Sequence, residues 1–229
     1  MAPNSDYLID GILPKQEVHL LAGVTGAGKT TWLFHTLLEW EKGLPVLGLT
    51  SHPVPWAYVA ADRSIASAYR TMNAMGLPLN SVNIIPAHGA DRKNWQGVVN
   101  ALADKGAEFA VVEGFGGFVG GTGTHHDVAQ FMHDVCASTA PSRLFPNGLT
   151  IMGVMESPKM KPAEKYALPR QRISGVATWG HMADCIFLIE HANPKQQGCA
   201  DRVLYVCPRI GRDLEMKGSF KGTNHLTFP

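Results

Sequence analysis

The sequence predicts an α/β domain with a mostly parallel β-sheet flanked by helices and antiparallel strands at its C-terminal edge. Three observations predict it. Short apolar runs rich in β-branched residues alternate with helical stretches, the order of repeated β/α units. A glycine-rich loop with the spacing G-x-x-x-x-G-K-T stands between the first apolar run and the first helical stretch. The tail, Arg202 to Val206 and Leu214 to Phe228, reads as antiparallel strands closing one edge.

With 229 residues the chain is long enough for one well-buried domain and short for two. It is therefore read as a single domain over 1–229. Apolar residues at 45% and charged residues at 17% match an ordinary globular protein. The net charge of +1 excludes a global pull toward nucleic acid or membrane, so any such contact needs a local patch. Cys136, Cys185, Cys199 and Cys207 lack metal-ligand spacing and read as free thiols of a reducing compartment. No secretory signal and no apolar run near ~18 residues is evident, so a cytoplasmic protein without membrane contact is expected.

The first strand is expected at Val18-His19-Leu20-Leu21-Ala22. A helix follows from about Lys29 to Trp40, with Leu33, Leu37 and Trp40 on one face and Gly43 as its stop. Ala57 to Ala61 reads as a strand, Ser64 to Met75 as a helix, and Val82 to Pro86 as a short strand. Asn94 to Lys105 reads as a helix ending at Gly106, and Glu108 to Val112 as a buried strand. A glycine-dense loop is expected from Gly114 to Thr124, then a helix over Asp127 to Ser138. Strands over Leu149 to Met155 and Ala183 to Glu190 complete the parallel part.

The loop Gly23-Val24-Thr25-Gly26-Ala27-Gly28-Lys29-Thr30, with Thr31 behind it, carries the sharpest chemistry. A polyphosphate needs donors on many sides at close range. Glycines let the backbone curl so that successive N–H groups point inward, and the following helix adds the positive end of its dipole. Lys29 is placed to reach the β- and γ-phosphates and Thr30 to ligate Mg²⁺. Chance would produce the four fixed positions in roughly one chain of this length in a hundred. The preceding strand and following helix supply the context that makes the match functional, so ATP with Mg²⁺ is the expected ligand pair.

Hydrolysis also needs an acid for the metal and a group to orient water. Glu113 closes the run Phe109-Ala110-Val111-Val112, and Asp62 closes Tyr58-Val59-Ala60-Ala61. Both are expected to face the phosphates, because reacting groups collect beyond the carboxyl ends of parallel strands. Glu156, after Ile151-Met152-Gly153-Val154-Met155, is a third strand-end acid placed to sense the γ-phosphate. A solvated carboxylate is the competing reading for each, and for Glu156 it explains the position equally well.

These residues resemble the RecA-like ATPases, and among them the hexameric replicative-helicase type of RepA-like proteins. Leu8-Ile9-Asp10-Gly11-Ile12-Leu13-Pro14 resembles the lead-in to the phosphate loop, Ala57 to Ser64 the strand ending in the catalytic acid, and Phe109 to Gly114 the Walker B strand. Leu149 to Lys159 resembles the strand before the second DNA loop. Arg172-Ile173-Ser174-Gly175, followed by Ala183 to Leu188, is similar to the segment where a ring protein returns to its sheet. Arg209-Ile210-Gly211-Arg212 resembles the late basic motif that holds an arginine finger. The family usually has Glu in place of Asp62 and Asp in place of Glu113, which leaves open which acid polarises water.

Lys159, Lys161, Lys165, Arg170 and Arg172 are opposed only by Glu164, and Pro158, Pro162 and Pro169 keep their stretch a loop. Such a loop next to a sensor strand can track nucleic-acid phosphates, although an ordinary solvated loop has the same composition. The resemblance makes it the second DNA-binding loop and Gly114 to His126 the first. Adjacent His125 and His126 are a poor pair for one metal ion. Trp179 suits core packing or a subunit contact better than base stacking. An arginine from a neighbouring subunit stabilises transition-state charge in ring ATPases, and Arg209 is the first candidate, ahead of Arg212.

The expected function is an ATP-hydrolysing motor assembled as a hexameric ring on single-stranded DNA or RNA. A recombination mediator, a viral genome-packaging NTPase and a nucleotide-dependent switch with a protein partner remain open on the same residues.

Overall fold

From Val18 to Glu156 each apolar run becomes a strand of one sheet, because a helix between it and the next crosses back over that sheet. The computed structural model describes residues 6–62, 64–77, 83–87, 94–119, 123–157, 178–193, 199–220 and 226–228. In chain order the elements are β1 (Tyr7–Ile9), β2 (Leu13–Pro14), β3 (Val18–Gly23), α1 (Lys29–Glu41), β4 (Trp56–Ala60), α2 (Ile65–Ala74) and β5 (Asn83–Pro86). Then come α3 (Trp95–Asp104), β6 (Phe109–Glu113), α4 (His125–Ala137), β7 (Thr150–Glu156), α5 (Thr178–Met182), β8 (Cys185–His191), β9 (Asp201–Pro208), β10 (Leu214–Phe220) and β11 (Leu226–Thr227).

The main sheet has nine strands in the order β11-β10-β9-β8-β3-β7-β6-β4-β5. From β8 to β5 all neighbours are parallel, while β9, β10 and β11 add antiparallel at the other edge. The expected fold class is the observed one. β3, first of these strands in the chain, lies between β7 and β8. Gly23, at its end, is in register with Glu156 on one side and Ile189 on the other.

The period of two along β3 divides the interior. Val18, Leu20 and Ala22 face a core with α3 and α4, built on Trp95, Leu102, Phe131 and Met132. Leu21 faces the opposite core, with Phe34, Leu37 and Trp40 of α1 and Met72 of α2. There Trp40 stacks on Phe109 with centroids 5.1 Å apart, and Phe34 meets Tyr58 edge-on at 5.2 Å. Each such fully buried side chain contributes roughly 1.5–3 kcal/mol, so both faces of the sheet are firmly held.

Several local features differ from the sequence expectation. The helix α4 begins at His125 and not at Asp127, because Thr124 caps it and Asp127, its third residue, bonds back to close a capping box. Inside the expected loop after Glu113, a 3-10 turn covers Phe115–Phe118 and buries both phenylalanines. The lead-in before β3 forms the antiparallel pair β1 and β2. Trp179 is packed between Phe115 and Phe131.

Candidate active site

Parallel strands bring their carboxyl ends to one rim, and the chain places polar residues there. Gly23 ends β3, Glu113 ends β6 and Glu156 ends β7, while Asp62 lies two residues beyond β4. Around them opens a cleft of about 840 Å³, within the range of small-molecule sites. Its walls include Thr25, Gly26, Gly28, Lys29, Thr30 and Thr31 from the loop, the acids Asp62, Glu113 and Glu156, and the rings of Trp179 and Phe220. Gly23, Val24 and Ala27 belong to the same loop; Ala27 is buried and its N–H donates to the Val24 carbonyl.

The start of α1 differs from the other long helices. The side chains of Ser64, Asn94 and Thr124 cap α2, α3 and α4. In α1 the N-cap is Gly28, which offers no side chain, and the first turn holds no acid. Its leading N–H groups and dipole are thus directed at the cleft. Gly28 sits at φ +101°, and a Cβ there would meet Phe220 and Leu226 at 2.6 and 2.8 Å. Only glycine fits this bend.

Lys29 is held in place by the loop. Its Nζ donates to the Gly23 carbonyl at 2.7 Å and the Val24 carbonyl at 3.2 Å. Burial pushes its pKa down, while Glu156, Glu113 and Asp62 pull it back up. The three strand-end acids therefore share one cleft with the lysine. Glu113 is buried, and Asp62 and Glu156 are exposed to the cleft. Glu156 Oε1 accepts a hydrogen bond from Thr25 at 2.6 Å, and the Ser157 N–H donates to the Gly23 carbonyl, tying β7 to the loop.

These donors fit a nucleotide polyphosphate, and the Thr30 hydroxyl with the Glu113 carboxylate offers the hard oxygen ligands that Mg²⁺ prefers. Among the described residues no three His, Cys, Asp or Glu side chains gather as metal ligands. His125 instead bonds the Thr178 hydroxyl at 3.0 Å. Lys159, Lys161, Lys165, Arg170 and Arg172 lie outside the described residues.

Arg209 follows β9 at the far end of the sheet. Pro208 is in register with Cys185 at the start of β8, whereas the loop lies beside Ile189 at its carboxyl end. Arg209 is paired there with Asp184 at 3.3 Å and donates to the His181 carbonyl. Arg202, which the sequence reading passed over, is 6% exposed and reaches the loop from behind. Its signal was its place on the face of β9 shared by Leu204 and Val206, an inward position in an alternating strand.

Fold and cleft together define a RecA-like P-loop ATPase. A sequence-family profile described as an AAA domain matches residues 2–121, and the chain belongs to that family. A search of curated proteins finds no match. Among solved structures, the chain is similar to a KaiC-like protein from the hyperthermophilic archaeon Pyrococcus horikoshii OT3, with a TM-score of 0.64 and 18% identity. The alignment covers 99% of this chain and 95% of that one. The likeness is one of fold, and function is argued from the site. Among the described residues no helix is long and apolar enough to cross a membrane.

Proposed function

We propose that the chain is an ATP-hydrolysing motor that works as a hexameric ring on single-stranded nucleic acid, of the replicative DNA helicase kind. One observation carries the reading. Lys29 and three acids share one cleft with Trp179, and in the sequence the basic residues fall between Glu156 and Trp179, two residues that line that cleft. A polymer held by that segment would act on the wall that reads the nucleotide.

In this reading Lys29 holds the γ-phosphate, Thr30 and Glu113 hold Mg²⁺, and Asp62 orients the attacking water. Glu156 senses the γ-phosphate through its bond to Thr25. Bound Mg²⁺ would supply charge neutralisation for the transferred phosphoryl group. Lys159, Lys161, Lys165, Arg170 and Arg172 carry the strand, and Arg209 reaches the site of a neighbouring copy. The pairing of Arg209 with Asp184 at the far end of the sheet supports a role in trans over one in its own chain.

The test is the ATPase rate with and without single-stranded DNA or RNA, measured beside the native mass. Stimulation in a closed hexamer supports the motor. A rate and an affinity indifferent to both polymers would sink the helicase and the recombination-mediator readings alike, leaving a genome-packaging NTPase or a switch with a protein partner.

A further inference from the structure

Behind the phosphate loop, the antiparallel edge of the sheet contributes a buried cation. Arg202, 175 residues along the chain from Ala27, donates through Nε to the Ala27 carbonyl at 2.9 Å. Its Nη2 lies 3.4 Å from the Gly26 carbonyl, and its Nη1 bonds the carbonyls of Cys199 and Asp201 at 2.6 and 2.9 Å. The guanidinium stands over the Phe220 ring at 4.8 Å, a cation–π contact made stronger by burial. Phe220 in turn fills the space beside Gly28.

This arrangement sets the direction of the loop's peptides. A carbonyl and the following N–H point in opposite directions across a planar trans peptide. Drawing the Ala27 carbonyl back to Arg202 therefore turns the Gly28 N–H the other way. The carbonyls of Gly23 and Val24 are taken up by Lys29. With the Ala27 carbonyl drawn back, the loop presents the Gly28 N–H dipole, the polarity an anion requires. A lysine at 202 could keep the charge but not the fork, since only a guanidinium reaches several acceptors in one plane.

We propose that Arg202 is a positioning residue for the phosphate loop, setting the affinity of the cleft for the polyphosphate chain of a nucleotide. The inference rests on the nucleotide-binding reading of the cleft and adds to it a determinant from β9. The experiment compares wild type, Arg202→Lys and Arg202→Met for binding of ATP and of inorganic tripolyphosphate, together with steady-state ATPase kinetics and melting temperature. Arg202→Met should weaken both ligands by the same factor, about tenfold or more. It should raise KM for ATP while leaving kcat at saturation within about threefold. Arg202→Lys should fall between.

A purely structural role would lower the melting temperature and leave affinity unchanged well below it. If Arg202→Met does not fold, Arg202→Lys decides: weakened tripolyphosphate binding supports the proposal, and binding within twofold of wild type overturns it. Wild-type protein that binds neither ligand overturns the nucleotide reading itself, a result distinct from equal binding by wild type and variant.

Discussion

Gly114→Ala separates turnover from binding. Gly114 follows Glu113 at φ +65°, and a Cβ at that position would fall on the Asp62 carboxylate. The left-handed conformation alone costs an alanine roughly 1–2 kcal/mol, a loss of about 2–8 °C in melting temperature for a chain of this size. The larger consequence is geometric. To reach an ordinary van der Waals separation, the carboxylate must retreat by about 1 Å, and a misplacement of that size can cost about a hundredfold in rate. The three atoms nearest the new methyl group all belong to Asp62 and none to the loop from Gly23 to Thr30, so ATP affinity should stay within about threefold. Coupled ATPase kinetics, nucleotide titration and a melting curve read the three quantities separately. A kcat within threefold of wild type would remove Asp62 from the reaction. Loss of binding in step with turnover would place Asp62 in ligand capture instead.

Three further outcomes are expected. Lys29→Ala should abolish nucleotide binding or turnover, and an unchanged ATPase rate would refute the phosphate-loop assignment. At the other end of the sheet, Glu17 has its pKa pushed up to about 7 by burial, by its hydrogen bond to Asp184 and by repulsion from it, with Arg209 opposing. Beside it His19 is pushed down to about 4 by burial, with the Pro14 carbonyl and Asp184 opposing. The folded state thus holds the Glu17 proton more tightly, so that contribution is full below pH 4.5 and fades as pH rises through 7. The folded state holds the His19 proton less tightly, so its contribution grows between pH 4 and 6.5. Glu17→Gln should therefore rise in melting temperature more steeply than wild type up to pH 6.5, then stay level while wild type declines; parallel profiles would contradict this. Finally, subunits carrying Arg209→Ala should be inactive alone and regain ATPase activity when mixed with Lys29→Ala subunits. Full activity of Arg209→Ala alone would end its assignment as a finger.

What was legible in the sequence was whatever depends on neighbours along the chain. The phosphate loop follows from fixed spacing, and α1 from the period of Leu33, Leu37 and Trp40. The positions of Asp62, Glu113 and Glu156 follow from the habit of parallel strands to present polar residues at their carboxyl ends. Most strand limits fall within a residue or two of expectation; β4 runs Trp56–Ala60, for example, where Ala57 to Ala61 was expected. The pairing of β3 with both β7 and β8 was not legible, because no local pattern encodes contacts more than a hundred residues apart. The same limit concealed the partners of Arg202, which lie at the opposite end of the sequence, although its inward place in β9 was readable. β1 and β2, at three and two residues, are too short to show a period.

The position of Arg209 decides what it is able to do. From Cys185 to Ile189, β8 climbs four residues, or ~13 Å at about 3.3 Å per residue, and Arg209 lies below the lower end of that span while the loop lies at the upper. An arginine held at the lower end by Asp184 cannot also stabilise a γ-phosphate at the upper end of its own sheet, so such a role requires a second copy. β9 carries Arg202 near one end, against the loop carbonyls, and leads to Arg209 at the other. It is hydrogen-bonded along both edges, to β8 and to β10.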